Sequence, residues 1–342
     1  MNDVPGLLID RVSHAAGAFR LGPLSLHVAP HAWFMLLGPS GSGKTTLLRL
    51  IAGALPAPAG ALRLDGRDLG PLPPECRRVA YVSQQGDLFP HLSVAENVGF
   101  GLRFRRLPRS ERAARVARLL DLFGIAHLAG RSAATVSGGE GRRVAVARAL
   151  APEPALLLLD EPLGMLDPNG RAELQTCLAQ AHRALGTATV HVTHDRDEAW
   201  LMGTACGVIL DGRLEQTGGV AEVFRRPVSA AAARFLGAAN LVPAPFFGGP
   251  EGCEATVRPE QLAVVAADAP GAVPAVVTAL RDRGGLCDVT LAPLSGGAPT
   301  LLAHVAWRQA ADLAPGRRVG LRWRPGDVVI WPAQARPAEE AP

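Results

Sequence analysis

Gly38-Pro39-Ser40-Gly41-Ser42-Gly43-Lys44-Thr45-Thr46 leaves a chain few folds to choose from. It follows Trp33-Phe34-Met35-Leu36-Leu37, which reads as a buried strand, and precedes Leu47-Leu48-Arg49-Leu50-Ile51-Ala52, which reads as a helix. The spacing G-x-x-x-x-G-K-T between strand and helix is the phosphate-binding P-loop. Glycines let backbone N–H groups curl around phosphate oxygens, and the helix N-terminus adds the positive end of its dipole. Lys44 is placed to reach β- and γ-phosphates, and Thr45 to give a hydroxyl to Mg²⁺.

Lys44 is the only lysine in the chain; the remaining Lys+Arg residues, 34 of 35, are arginine. A compact ammonium enters a ring of backbone amides, whereas the planar guanidinium fork is too large. A lysine kept here alone argues for a fitted site rather than a glycine-rich turn.

The 342 residues suffice for two or three domains, and 48% hydrophobic with 19% charged is ordinary for a globular protein. The net charge of +4 is small and spread, with few aromatics beside the arginines, so no nucleic-acid surface is expected. Five scattered cysteines without a CxxC pair read as free thiols of a reducing compartment. Residues 1–14 lack a basic-then-apolar signal pattern, and no run of about 18 apolar residues occurs. A cytoplasmic protein is expected, touching a membrane only through a partner.

Residues 7–12 and 24–28 alternate like strands, and 61–64 closed by Asp65-Gly66 looks like one arm of a hairpin. Residues 78–83 form another strand. Between about 93 and 151 the pattern is helical: one helix opens at Ser110 and stops at Gly124, and a second starts at Ser137-Gly138-Gly139. Strands at 155–159, 187–192 and 206–210 then alternate with helices at 171–185 and 195–202, which argues for a mostly parallel sheet flanked by helices. Beyond a Gly-, Pro-, Ala- and Phe-rich stretch at 237–252 come seven short strand-like runs, the pattern of a small all-β domain.

Leu156-Leu157-Leu158-Leu159-Asp160-Glu161 is a strand apolar enough to be buried, ending in two acids at the sheet edge where the P-loop also sits. There Asp160 can hold Mg²⁺ through water and Glu161 can polarise an attacking water. Further motifs follow in order. Gln84 lies in Tyr81-Val82-Ser83-Gln84, Val136-Ser137-Gly138-Gly139-Glu140 opens a helix, Leu166-Asp167 follows the acid pair, and His194 sits in Val192-Thr193-His194-Asp195. Together with the P-loop and the acid-tipped strand, over roughly residues 7–236, they resemble the ATP-binding subunit of an ABC transporter.

The resemblance implies an α/β P-loop cassette with a helical insert at about 86–152, ATP and Mg²⁺ as cofactors, and ATPase activity. Val136 to Glu140 is similar to the LSGGQ signature, Gln84 to the Q-loop glutamine, Asp167 to the D-loop aspartate and His194 to the switch histidine. It implies that Ser137, Gly138 and Gly139 face the nucleotide of a second subunit, that Asp167 contacts that subunit's P-loop, and that His194 holds the γ-phosphate and orients Glu161. Gln84 would bridge Mg²⁺ and the water and report to the helical insert. A metal pair of His191 and His194 is the competing reading; on a strand their rings point to opposite faces. Arg142 and Arg143 are expected on the solvated side of the signature helix.

Three departures matter. Glu140 stands where the signature usually has Gln and is followed by Gly141, which adds a negative charge near the phosphates. Gly164-Met165 replaces the commoner Ser-Ala or Asn-Ala, and Ala16 occupies the place of the aromatic that stacks on adenine, leaving Phe19 as the substitute, with His14 weaker.

Residues 88–97 (LFPHLSVAEN) and Val257-Arg258-Pro259-Glu260 resemble segments of bacterial importer ATPases carrying a transport-associated OB-type domain. This divides the chain into an ATPase domain at 1–236, a linker at 237–252, an all-β OB-like domain at 253–331 and a disordered tail at 332–342. It implies membrane permease subunits and a second ATPase subunit, with a homodimer expected, as partners. A solute-binding protein would act indirectly, and the site of action would be the cytoplasmic face of the inner membrane. Residues 196–200 (RDEAW) and 222–227 (EVFRRP) lean the solute toward a molybdate- or tungstate-type oxyanion. Ferric iron, polyamine or sulfate is the alternative, and an exporter or a non-transport ATPase is a more distant one.

Overall fold

The computed structural model describes residues 5–56, 59–294 and 299–332. The chain divides into two compact units, Met1–Val220 and Ala221–Pro342.

The first unit begins with β1 (Leu7–Ala16) and β2 (Phe19–Val28), then β3 (Trp33–Leu37), α1 (Lys44–Ala52), β4 (Ala59–Leu64), β5 (Arg67–Asp68) and β6 (Val79–Val82). A helical stretch holds α2 (Val94–Gly99), α3 (Arg109–Leu122) and α4 (Gly138–Leu150). It is followed by β7 (Leu156–Asp160), α5 (Pro168–Leu185), β8 (Ala188–Thr193), α6 (Arg196–Met202), β9 (Ala205–Leu210) and β10 (Arg213–Gly219). The six-stranded sheet has the order β10-β9-β3-β8-β7-β6, parallel except for β10. An antiparallel sheet, β2-β1-β4-β5, lies beside it.

Every residue of β3, β7 and β8 is buried, as a parallel strand covered on both faces requires. That is why β3 and the first four residues of β7 are unbroken apolar runs while β1 and β2 alternate; β8 instead buries Thr189, His191 and Thr193 among its apolar residues. One core joins both sheets to α1: Leu7, Ile9, Leu47, Leu48, Leu158 and Val190 all belong to it. β3 and β7 flank β8, so the loop after β3 and the acids ending β7 emerge at the same edge.

In the second unit, α7 (Val220–Arg225) and α8 (Ala230–Phe235) precede an all-antiparallel set. The strands are β11 (Asn240–Pro243), β12 (Cys253–Val257), β13 (Ala263–Val265), β14 (Val273–Asp282), β15 (Leu286–Pro293), β16 (Leu301–Ala306), β17 (Arg318–Arg322) and β18 (Val329–Pro332). They form sheets β11-β12-β18 and β13-β17-β14-β15-β16 around Val257, Val277, Val289, Leu291 and Leu321. The short helix α9 (Trp307–Ala310) follows β16.

Two expectations need correction here. The stretch 237–252, read as a linker from its composition, contains β11, which pairs along its whole length with β12. Residues 221–236 also pack with the β domain: the Arg258 guanidinium donates to the Phe224 carbonyl at 2.9 Å, and the Trp331 indole N–H to the Pro227 carbonyl at 2.8 Å. From residue 333 onward, the tail expected to be disordered lies outside the described residues.

Asn240 explains why the supposed linker is structural. It is fully buried, its amide donates to the Leu302 carbonyl at 2.8 Å, and its Oδ1 accepts from the Leu302 N–H at 2.6 Å. A side chain thus supplies the pair of bonds that a strand neighbour would, joining the three-stranded sheet to β16. Asn240→Ala leaves the half-buried N–H and C=O of Leu302 without these partners, at about 1–3 kcal/mol each. The expected loss of about 2–4 kcal/mol is read by chemical denaturation, and a change below about 0.5 kcal/mol would count against the bridging role.

Candidate functional site

The P-loop owes its path to two close approaches. A Cβ on Gly38 would lie 2.4 Å from the Ile209 carbonyl oxygen of β9. Gly43 has φ +101 and caps α1, and a Cβ there would meet Leu21 at 2.7 Å and Phe19 at 2.8 Å. Only glycine fits at either position. Lys44, buried at the first position of α1, folds back so that Nζ donates to the carbonyls of Gly38 at 2.8 Å and Pro39 at 2.7 Å. Burial lowers its pKa, and the charges of Glu161 and Asp160 act against that shift. Ser40 and Gly41 are exposed at the tip, and Ser42 is buried with its hydroxyl unpartnered.

At the end of β7, Asp160 is buried and held from two sides. Thr45 Oγ1 donates to Oδ1 at 2.9 Å, and the Tyr81 hydroxyl donates to Oδ2 at 2.9 Å. Burial first, then the Asp160 charge, push the Tyr81 phenol up to about 12, so it stays a proton donor. Glu161 follows with a positive φ of 46 and its N–H bound to the Val192 carbonyl of β8 at 3.0 Å. This bend turns its carboxylate away from the sheet, where both oxygens are met: Gln84 Nε2 donates to Oε2 at 3.4 Å, and His194 Nδ1 lies 3.3 Å from Oε1. Phe19, Ser40, Gly41, Gly43, Lys44, Thr45, Thr46, Gln84 and Glu161 line a cleft of about 360 Å³.

The structure therefore brings Lys44, Thr45, Asp160, Glu161, Gln84 and His194, drawn from four separate stretches of the chain, into one cluster. Ser137, Gly138, Gly139 and Asp167 do not line its cleft. Ser137 caps α4 in a capping box: its hydroxyl accepts from the Glu140 N–H, while Glu140 Oε2 accepts from the Ser137 N–H at 2.7 Å. Glu140 thus spends its charge on its own helix end, and those bonds from Ser137 hold its carboxyl below the ordinary value. Asp167 caps α5 by accepting from the N–H groups of Asn169 and Gly170. Before it, Met165 stands 90% exposed. His191 is fully buried against Glu198, with Nε2 3.4 Å from Oε2, while the His194 side chain is 61% exposed; the two rings share no site.

Two assignments from sequence are corrected or extended. Arg142 is buried, not solvated, and its Nη1 donates to the Ser83 carbonyl at 3.0 Å. Arg143 is also largely covered and pairs with Glu173 of α5. Tyr81 was legible only as a strand residue. Its being the single tyrosine was the available signal, and only the pairing of β6 with β7 puts its hydroxyl on Asp160.

Residues 21–164 match the ABC transporter family model, and residues 255–331 the TOBE domain model. The Fe(3+) ions import ATP-binding protein FbpC of Streptomyces coelicolor is 43% identical over 326 residues, 91% of this chain and 92% of the relative. The molybdate/tungstate import ATP-binding protein WtpC of Thermococcus kodakarensis is 45% identical over 236 residues, 69% of this chain and 72% of the relative. A solved ATP-binding cassette, dimeric in a post-hydrolysis state bound to ADP and Pi, is 28% identical with a TM-score of 0.56. That match covers 63% of this chain and 98% of the cassette. A P-loop facing a buried aspartate and a doubly held glutamate, followed by a separate OB-like domain, places this chain in the ABC transporter family, among its import ATP-binding ATPases.

Proposed function

We propose that two copies of this chain bind two ATP molecules between them and use hydrolysis to drive a membrane permease that imports a small solute. The observation that carries the mechanism is the doubly held Glu161 carboxylate beside Lys44. With Gln84 on one oxygen and His194 near the other, the carboxylate is fixed in direction and can accept a proton from an attacking water. Lys44 and the loop N–H groups bind the phosphates, and His194, exposed at the cluster, reaches the terminal phosphate.

The oxygens of Thr45, Asp160 and Gln84 suit Mg²⁺, a hard cation that takes oxygen ligands. Thr45 and Asp160 already converge at 2.9 Å. Bound there, the ion would neutralise charge on the β- and γ-phosphates. Ser137, Gly138, Gly139 and Asp167, lying outside the cleft, are left to complete the partner's site. Among the described residues no helix is long and apolar enough to cross a membrane, and attachment at the cytoplasmic face of the inner membrane would run through the permease.

For the solute, a molybdate- or tungstate-type oxyanion is our reading. Ferric ion is the second, favoured by the FbpC relative that aligns over 91% of the chain. Calorimetric titration of the cognate solute-binding protein with molybdate, tungstate and ferric ion separates them. Binding of ferric ion alone would overturn the oxyanion.

The adenine site yields a further expectation. Ala16 does not line the cleft, whereas Phe19 does and packs on Gly43. Stacking of a base on an aromatic face is worth about 1–3 kcal/mol. Phe19→Ala is expected to weaken ATP binding by about 5–100-fold, and Ala16→Tyr to tighten it. GTP should be hydrolysed at a rate comparable to ATP. Strong preference for ATP together with an unaltered Kd in Phe19→Ala would show that Phe19 does not hold the base.

A further inference from the structure

We propose that Arg142 is the positioning residue for Gln84, locking the Gln84 loop to the signature helix so that the two travel together. The inference rests on the ATPase reading above. Arg142 comes from the second turn of α4, whose N-terminus carries Ser137, Gly138 and Gly139. Its guanidinium donates to the carbonyl of Ser83, the residue immediately before Gln84. Its stem lies along Gly86: a Cβ on that glycine would come 3.1 Å from Nη1 and 3.2 Å from Cδ, and φ there is +64. The loop turns tightly at this point, with the Gly86 N–H bound to the Ser83 carbonyl at 3.0 Å and to the Ser83 hydroxyl at 3.2 Å.

A second arginine of the same helix completes the fixation. Arg148 donates to the Asp87 carbonyl and stands 4.9 Å above the Phe89 ring. The loop is therefore held to α4 at residues 83, 86 and 87, and at its near end it presents Gln84 to Glu161 Oε2 at 3.4 Å. Gln84 itself is exposed and makes no other bond that would fix its direction among the described residues. Its backbone is held on the near side by β6, paired with β7 up to Val82, and on the far side by α4. A displacement of the signature end of α4 must shift the amide that touches the catalytic carboxylate, and misplacement of about 1 Å at such a group can cost about 10²-fold in rate.

The test is a double-mutant cycle on the full-length chain, with kcat and KM for ATP measured in the wild type, Gln84→Ala, Arg142→Met and the double variant. Methionine keeps an apolar stem over Gly86 and removes the donor. Arg142→Met is expected to lower kcat about tenfold with KM changed less than about twofold. In the Gln84→Ala background it should lower kcat by less than about twofold, because the residue it acts through is gone. Equal losses in both backgrounds would overturn the proposal. Should the methionine variant fail to fold, Arg142→Lys, with one donor in place of the fork, runs the same cycle. Amide hydrogen exchange at residues 85–87 gives a readout independent of turnover: it should speed about tenfold without Arg142, and unchanged exchange overturns the positioning role. A wild type without ATPase activity would count against the ATPase reading alone, and loop exchange would still decide the role of Arg142.

Discussion

Glu161→Gln is expected to bind ATP as the wild type does and to hydrolyse it about 10²–10⁴-fold more slowly, the range that a positioned general base contributes. Glutamine preserves the shape and can still meet Gln84 and His194, yet it has no basic oxygen to take the proton from water. Because the products that would open a closed pair never form, the variant should accumulate as a dimer when ATP and Mg²⁺ are present. Size-exclusion chromatography and a phosphate-release assay read both outcomes. A variant that stays monomeric and turns over at the wild-type rate removes Glu161 from the mechanism.

Lys44→Arg should damage nucleotide binding nearly as much as Lys44→Ala, although it keeps the positive charge. The Nζ of Lys44 sits 2.7–2.8 Å from two consecutive loop carbonyls, those of Gly38 and Pro39, so the loop is closed around a compact ammonium. A planar guanidinium, larger and with donors in a fixed fork, cannot take that place. The loss of charge-assisted bonds worth about 1.5–3 kcal/mol corresponds to about a 10–100-fold rise in Kd for ATP, measured by titration calorimetry. Equal affinities in Lys44→Arg and the wild type would show that the loop does not enclose the ammonium.

How far the site could be read from sequence depended on how local its geometry is. The P-loop, the acid-tipped strand and the cap at Ser137 are set by neighbours a few residues away. Spacing, apolar runs and capping residues therefore announce them, and β3, β7 and α4 lie within one or two residues of their expected places. Glu140 shows the limit. The S-x-x-E pattern of a capping box was present in Ser137 to Glu140, but reading the glutamate only as a signature variant hid its bond to the Ser137 N–H.

The sequence by itself determined the phosphate loop, the order of strands and helices from β6 to β9, the buried parallel core and the presence of a second, all-β part. Each follows from glycine placement or from the period of apolar residues along the chain. Tertiary structure alone decided the rest. It put Tyr81 on Asp160 across the β6–β7 pairing, turned Arg142 inward onto the Ser83 carbonyl, and made Asn240 a substitute for a strand neighbour. These contacts join residues 79, 59 and 62 positions apart. A polar side chain's period along the chain cannot tell whether its partner is water or a carbonyl brought in by packing. Burial makes that choice, because an arginine or asparagine closed off from water must find every partner within the fold.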